Sequence, residues 1–166
     1  APLSFYLQPA FEGSQVRELH NSEMVDAFAD YFITKDKVHR VRFGLQRTPN
    51  AFDTYRSSSN RQELDRHESI QSGAPGERDL GIAYYWSPKV SQMRYAQLAT
   101  YHNGPGDYGD FGIMVWNGQS RNKPELNYDN HVGVRLAHPF ELPNGRLLEA
   151  GVFAFRGQFV VDPPPA

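Results

Sequence analysis

Residues 24–46 read MVDAFADYFITKDKVHRVRFGLQ, and the alternation within them decides the fold. Val25, Ala27, Ala29, Tyr31 and Ile33 fall on one side of an extended chain, and Asp26, Phe28, Asp30 and Phe32 on the other, because successive side chains of a strand point to opposite faces. After Lys35, Asp36 and Lys37 the pattern resumes, with His39, Val41, Phe43 and Leu45 set against Arg40, Arg42, Gly44 and Gln46. A hairpin centred on Asp36 puts Ile33 opposite His39, Tyr31 opposite Val41, Ala29 opposite Phe43 and Ala27 opposite Leu45. On the other face it sets Asp30 against Arg42. Opposite charges across an antiparallel ladder are mildly stabilising, so both faces accept the same register.

Working outward, the same period of two recurs. Leu3, Phe5, Leu7 and Phe11 oppose Ser4, Tyr6, Gln8 and Glu12, which predicts a first strand over 3–11, followed by a polar loop over 13–23. Residues 79–87 alternate Leu80, Ile82, Tyr84 and Trp86 with Gly81, Ala83 and Tyr85. Residues 110–117 alternate Phe111, Ile113 and Val115 with Gly112, Met114 and Trp116. Between them, Val90, Met93, Ala96 or Gln97 and Tyr101 fit a short amphipathic helix, while Met93, Tyr95, Gln97, Ala99 and Tyr101 fit a strand. We expect a short helix around 89–101. The last pair of strands flanks Asn144-Gly145, the signature of a two-residue type I′ turn. That turn would set Leu136 against Phe153, Val134 against Phe155 and Val132 against Gly157. The opposite face would then carry Gly133, Arg135, Ala137, Val152, Ala154 and Arg156, small residues around two arginines, which suits a wet, basic surface better than a packed interior.

Seven strands result. If they run antiparallel in order, the short connections at 35–37 and 143–146 fall at one end, and the long ones at 47–78 and 117–130 at the other. Trp86 and Phe140 then lie near the short-turn end and Trp116 near the long-loop end, as aromatic girdles at two membrane interfaces would require. Mean hydropathy is low, at -0.62, although 13% of residues are aromatic. A transmembrane β-barrel reconciles the two, with apolar side chains facing lipid and polar ones facing a lumen. A soluble β-sandwich, such as a carbohydrate-binding module that uses exposed aromatics, would alternate in the same way and is the alternative reading.

The 166 residues are enough for one domain, 1–166, and 17 Lys+Arg against 19 Asp+Glu leave no global basic field for nucleic acid. There is no cysteine, hence no disulfide, thiolate metal site or cysteine nucleophile. No apolar run approaches the roughly 20 residues of a membrane helix, and APLSFYLQPA lacks the charged start of a signal peptide, so a mature chain or a fragment is expected. His20, His39, His67, His102, His131 and His138 have no metal-binding spacing, and Gly109, Gly112 and Gly118 form no phosphate loop. Asp107 and Asp110 are the kind of carboxylate pair a glycosidase uses, but no cleft accompanies them. Neither an enzyme nor a cofactor is expected.

The candidate functional residues are arginines. Residues 47–78 read RTPNAFDTYRSSSNRQELDRHESIQSGAPGER, a long connection whose only cations are arginines, balanced by Asp53, Glu63, Asp65, Glu68 and Glu77. Read alone it is a solvated surface loop; between two strands whose polar sides face a lumen it is a candidate constriction. Arg40, Arg42, Arg135 and Arg156 share the expected lumen face, and rings of arginine favour anions, phosphate especially, through their planar forks. The competing reading is a lattice of ion pairs with Asp26, Asp30 and Glu12.

VRFGLQRTPNAF (41–52), SSSNRQELDR (57–66), APGERDLGIAYYWSPK (74–89), GDYGDFGIMVWNGQSRNKPELN (106–127) and HPFELPNGRLLEAGV (138–152) resemble the phosphate-selective porins of the O and P type. The resemblance spans roughly 28–161, with PGERDLG and PFELPNG its most specific pieces. It implies a homotrimeric β-barrel in the bacterial outer membrane, in contact with lipid, whose arginine-rich lumen and inward-folded loops admit small anions such as phosphate or polyphosphate. It also implies that this chain is an internal portion of such a barrel, in keeping with an odd strand count. Carried over residue by residue, Arg40 and Arg42 match the inward arginine run, Arg47 replaces the usual lysine before the loop, and Arg61 and Arg66 stand at basic or polar loop positions. Thr48-Pro49-Asn50-Ala51-Phe52 splits a Val-Pro-Phe that is commonly contiguous, which displaces the loop's entry. The expected architecture is thus all-β: an antiparallel, up-and-down, partial transmembrane barrel of about seven or eight strands, with Arg40, Arg42, Arg47, Arg61, Arg66, Arg135 and Arg156 lining its pore.

Overall fold

The computed structural model describes residues 2–13, 20–49, 53–55, 77–102, 106–121, 123–124 and 126–160. Seven strands, β1 (Leu3–Gly13), β2 (His20–Phe32), β3 (His39–Arg47), β4 (Arg78–Trp86), β5 (Phe111–Trp116), β6 (His131–Glu141) and β7 (Leu147–Arg156), form one antiparallel sheet in sequential order. A helix, α1 (Lys89–His102), joins β4 to β5, and a short 3₁₀ turn at Asp53–Tyr55 follows β3. The sheet is open, with β1 and β7 at its edges. No helix among the described residues is long and apolar enough to cross a membrane.

The β2–β3 register is the one the sequence dictates: Ala27 faces Leu45, Ala29 faces Phe43, Tyr31 faces Val41 and Asp30 faces Arg42. The pairing continues into the turn, where the Ile33 amide donates to the His39 carbonyl at 3.0 Å. Backbone pairing also carries β2 four residues earlier than its polar composition suggests. Gly13 pairs with His20 and Glu12 with Asn21, so residues 13 and 20–23 of the expected 13–23 loop are strand, because ladder hydrogen bonds do not depend on side-chain polarity.

Burial is inverted with respect to a water-soluble sheet. On β4, Ile82 is 61% exposed, while Ala83 and Tyr85 beside it are each 1% exposed. Asp26, Asp30, Arg42, Gln46, Asp79 and Arg135 are buried, whereas Phe5, Leu7, Leu80, Leu136 and Val152 are exposed. The polar face is therefore an inner face, covered by the chain's own connections: Pro49 approaches Gly133, and Tyr108 packs against the cluster of Ala83, Tyr85, Met114 and Trp116.

Three expectations need correction. The final hairpin is shifted by one residue: Leu136 pairs with Val152, Val134 with Ala154 and Val132 with Arg156. Its loop holds three residues rather than two, because Gly145 adopts φ 74 and the Leu142 amide reaches the Arg146 carbonyl at 2.8 Å, a turn with a left-handed residue at its end. Trp116 is 2% exposed on the inner face, its indole edge-on to His131 5.5 Å away, and so belongs to no outer girdle; Trp86 and Phe140 do lie exposed on the outer face. The connection holding α1 also falls at the end of the short turns, so the ends differ less in loop length than expected.

Gly44 is a position the ladder cannot surrender. It has φ 125, and a Cβ there would run into the backbone of Ala27 and Phe28 across the strand pair. Gly44→Ala is expected to cost about 1–3 kcal/mol, read as an earlier midpoint in urea unfolding; an unshifted midpoint would contradict this close approach.

Candidate functional site

The strand register lays the inner face out in rows. One row runs Asp30, Arg42, Ala83, Met114, Gly133, Phe155, and the next, toward the short turns, runs Phe32, Arg40, Tyr85, Gly112, Arg135, Phe153. Alternation on four strands, β3 to β6, thus puts Arg40 and Arg135 in one row, separated by a tyrosine and a glycine. Gly112 leaves room for the Tyr85 ring, whose edge lies 3.0 Å from where a Cβ would stand.

Arg42 and Asp30 form a two-pronged pair, Nε to Oδ1 at 2.7 Å and Nη2 to Oδ2 at 2.8 Å. Arg40 brings its Nε to 3.7 Å from the same carboxylate, and donates through Nη2 to the Asp107 carbonyl at 2.6 Å; among the described residues the buried Nε has no hydrogen-bond partner. Arg78 pairs with Asp26 at 2.9 Å. Arg135 donates to the Gly109 carbonyl at 2.7 Å and to Glu149. The ion-pair lattice expected as the competing reading is therefore present for Asp26 and Asp30, with Glu149 as a further member the sequence did not single out. Burying a guanidinium without a carboxylate or its equivalent would be prohibitive, which is why these pairs are direct and cross-strand.

Between the arginines runs a line of rings. Arg42 lies 3.8 Å above Phe28 and 5.7 Å from the Tyr108 ring, and Arg40 sits 4.9 Å over Tyr85. Tyr85 meets Tyr108 edge-on at 6.0 Å, Tyr108 lies against Tyr55 at 3.9 Å, and Tyr55 lies 5.3 Å from the guanidinium carbon of Arg135. Each cation over a ring adds about 0.5–2 kcal/mol, the larger figure when water is excluded. Tyr55 is wholly enclosed, and burial pushes its phenol well above the usual range, so it stays neutral. Tyr95 on α1 is also raised, by burial and then by the Glu149 carboxylate, toward which its hydroxyl points at 3.4 Å. None of these tyrosines was identified from the sequence. The available signal was Tyr85, a large residue on the otherwise small inner side of β4.

The remaining expected residues separate. Arg47 closes the loop entry by donating to the Thr54 carbonyl. Arg61 and Arg66 lie outside the described residues. Arg156 pairs with Val132, which places it on the outer face, away from Arg135; the one-residue shift of the last hairpin is the reason. The face expected to be wet around Arg135 is instead covered, with Arg135 7% and Ala137 8% exposed. A cavity of about 160 Å³ lies near the short turns, lined by Lys37, Arg40, Tyr85, Ser87, Gln92 and Asp107, among others. Among the described residues no cluster of His, Asp or Glu could hold a metal ion.

The family model described as phosphate-selective porin O and P matches residues 1–159. No curated protein and no solved structure matches the chain.

Asp30→Ala removes the carboxylate that Arg40 and Arg42 share, and is expected to destabilise by about 3–5 kcal/mol through the charge left unpaired. Adding Arg42→Met should recover much of that loss. A double variant no more stable than the single one, in the same unfolding assay, would show that the pair is not coupled.

Proposed function

The chain belongs to the phosphate-selective porin O and P family, and from that premise we propose that it forms a section of an outer-membrane β-barrel through which small anions diffuse passively. The observation that carries this reading is the inverted burial: along one antiparallel sheet of seven strands the outer face is mainly apolar, while Asp26, Asp30, Arg40, Arg42, Asp79, Arg135 and Glu149 turn inward. An apolar surface of that extent suits lipid, and a charged inner face suits an aqueous lumen. Location in the bacterial outer membrane and homotrimeric assembly belong to the same reading and rest on family membership.

Within the lumen we assign the anion-facing role first to Arg40, with Arg42 beside it. The two share one carboxylate, Asp30, and Lys37 lines the same cavity. The acidic group there, Asp107, is held by the Ser87 hydroxyl at 2.8 Å and the Gly109 amide at 2.8 Å. Cations thus outnumber carboxylates in this corner, and the planar fork of the Arg40 guanidinium suits the oxygens of a phosphate. Arg135, balanced by Glu149, contributes less to selectivity. Phosphate or polyphosphate is the solute class these forks suit, and Arg47, with Arg61 and Arg66 further along, supplies cations on the long connection.

Two measurements test this. In planar bilayers under a salt gradient, Arg40→Ala should lower the preference for anions over cations, on the order of severalfold, and Arg135→Ala should lower it less. Reversal potentials equal to the parent's would remove Arg40 from the mechanism. On the outer face, Ile82→Arg should weaken folding into lipid vesicles by about 2–4 kcal/mol; an unchanged folding free energy would mean that this face does not meet lipid.

A further inference from the structure

The long connection after β3 and the connection after α1 leave opposite ends of the sheet, yet they meet on the inner face. Residues 53–55 are tied back to the loop entry by Arg47 on the Thr54 carbonyl and by the Thr54 hydroxyl on the Thr48 carbonyl at 3.4 Å. Residues 106–109 come from the other end. There Asp107 is fixed by Ser87 and the Gly109 amide, and Gly109, at φ 73, presents its carbonyl to Arg135. The two segments touch through Tyr55 and Tyr108, with ring centroids 3.9 Å apart and planes inclined by 34°.

We infer that Tyr55 and Tyr108 form an aromatic latch that holds the start of the long connection across the lumen, making them positioning residues for permeation. This rests on the porin reading above and extends it. Three features support a latch over incidental packing. Both rings are held from outside the pair, Tyr55 by Arg135 at 5.3 Å and Tyr108 by Arg42 at 5.7 Å and by Tyr85 edge-on. The same two arginines are fixed by Asp30 and Glu149, so the seat is held by the strands while the segments it joins are a single 3₁₀ turn and a stretch without regular structure. The Tyr55 hydroxyl is buried and has no hydrogen-bond partner among the described residues, so the ring and not the hydroxyl makes the contact. Removing either ring frees residues 53–55 from residues 106–109 on the inner face and widens the passage.

The test uses the intact protein in planar bilayers. Tyr108→Ala should raise single-channel conductance on the order of twofold and add open-channel noise, while Tyr108→Phe and Tyr55→Phe should behave as the parent. Because the chain contains no cysteine, Tyr55→Cys with Tyr108→Cys gives a unique thiol pair. A short bis-methanethiosulfonate should bridge it in the folded protein and return conductance and noise to the parent's level. A pair that fails to cross-link in folded protein overturns the latch, as does Tyr108→Ala conducting like the parent. A parent that forms no channel while the pair still cross-links would instead overturn the porin reading, and with it the role of the latch in permeation.

Discussion

A guanidinium taken out of water must be given back its hydrogen bonds, and Arg42 recovers two of them from Asp30 directly across the β2–β3 ladder. Much of the inner face depends on that constraint. The pair holds the Arg42 plane against Phe28 and near Tyr85 and Tyr108, and it leaves Arg40 with a share of a carboxylate already engaged. Arg40 turns instead to a backbone carbonyl, and so stands further from a carboxylate than Arg42, Arg78 or Arg135. The same rule operates at Arg78 with Asp26 and at Arg135 with Glu149, so the net charge of this face is set by the difference between cations and carboxylates rather than by the number of arginines.

Space on that face is controlled by what is absent from the side chains. Gly112 admits the Tyr85 ring, and Gly133 lies beneath both the Trp116 indole and Pro49. A strand interior with glycine is weaker by itself, but here the missing Cβ is what allows an irregular segment to approach the wall closely. The cost in strand propensity is offset by the rings that fill the vacated volume. His131 shows the limit of this scheme: it is enclosed between Gly118 and Gly157, with neither ring nitrogen hydrogen-bonded among the described residues.

How far the fold was legible varied with the kind of signal. Strict alternation placed all seven strands and the β2–β3 register, because a slip of one residue would have exchanged Asp30 and Arg42 with Ala29 and Phe43. The last hairpin was misjudged because Asn-Gly fits both a two-residue turn and a three-residue turn ending in a left-handed glycine. The difference of one residue was enough to send Arg156 to the other face. Trp116 lies near a strand end, where an interfacial aromatic is expected, but alternation puts it on the inner face.

By itself the sequence determined the class of the fold, the pairing of Arg42 with Asp30 and the location of the long connections, since each follows from a period of two and from charges that must face one another. Only the tertiary structure decided which arginines share a row, that Glu149 neutralises Arg135, and that Tyr55 meets Tyr108 across the inner face. The first two depend on registers summed over several strand pairs, and the third joins residues that lie outside the strands, where no periodicity constrains where a side chain points.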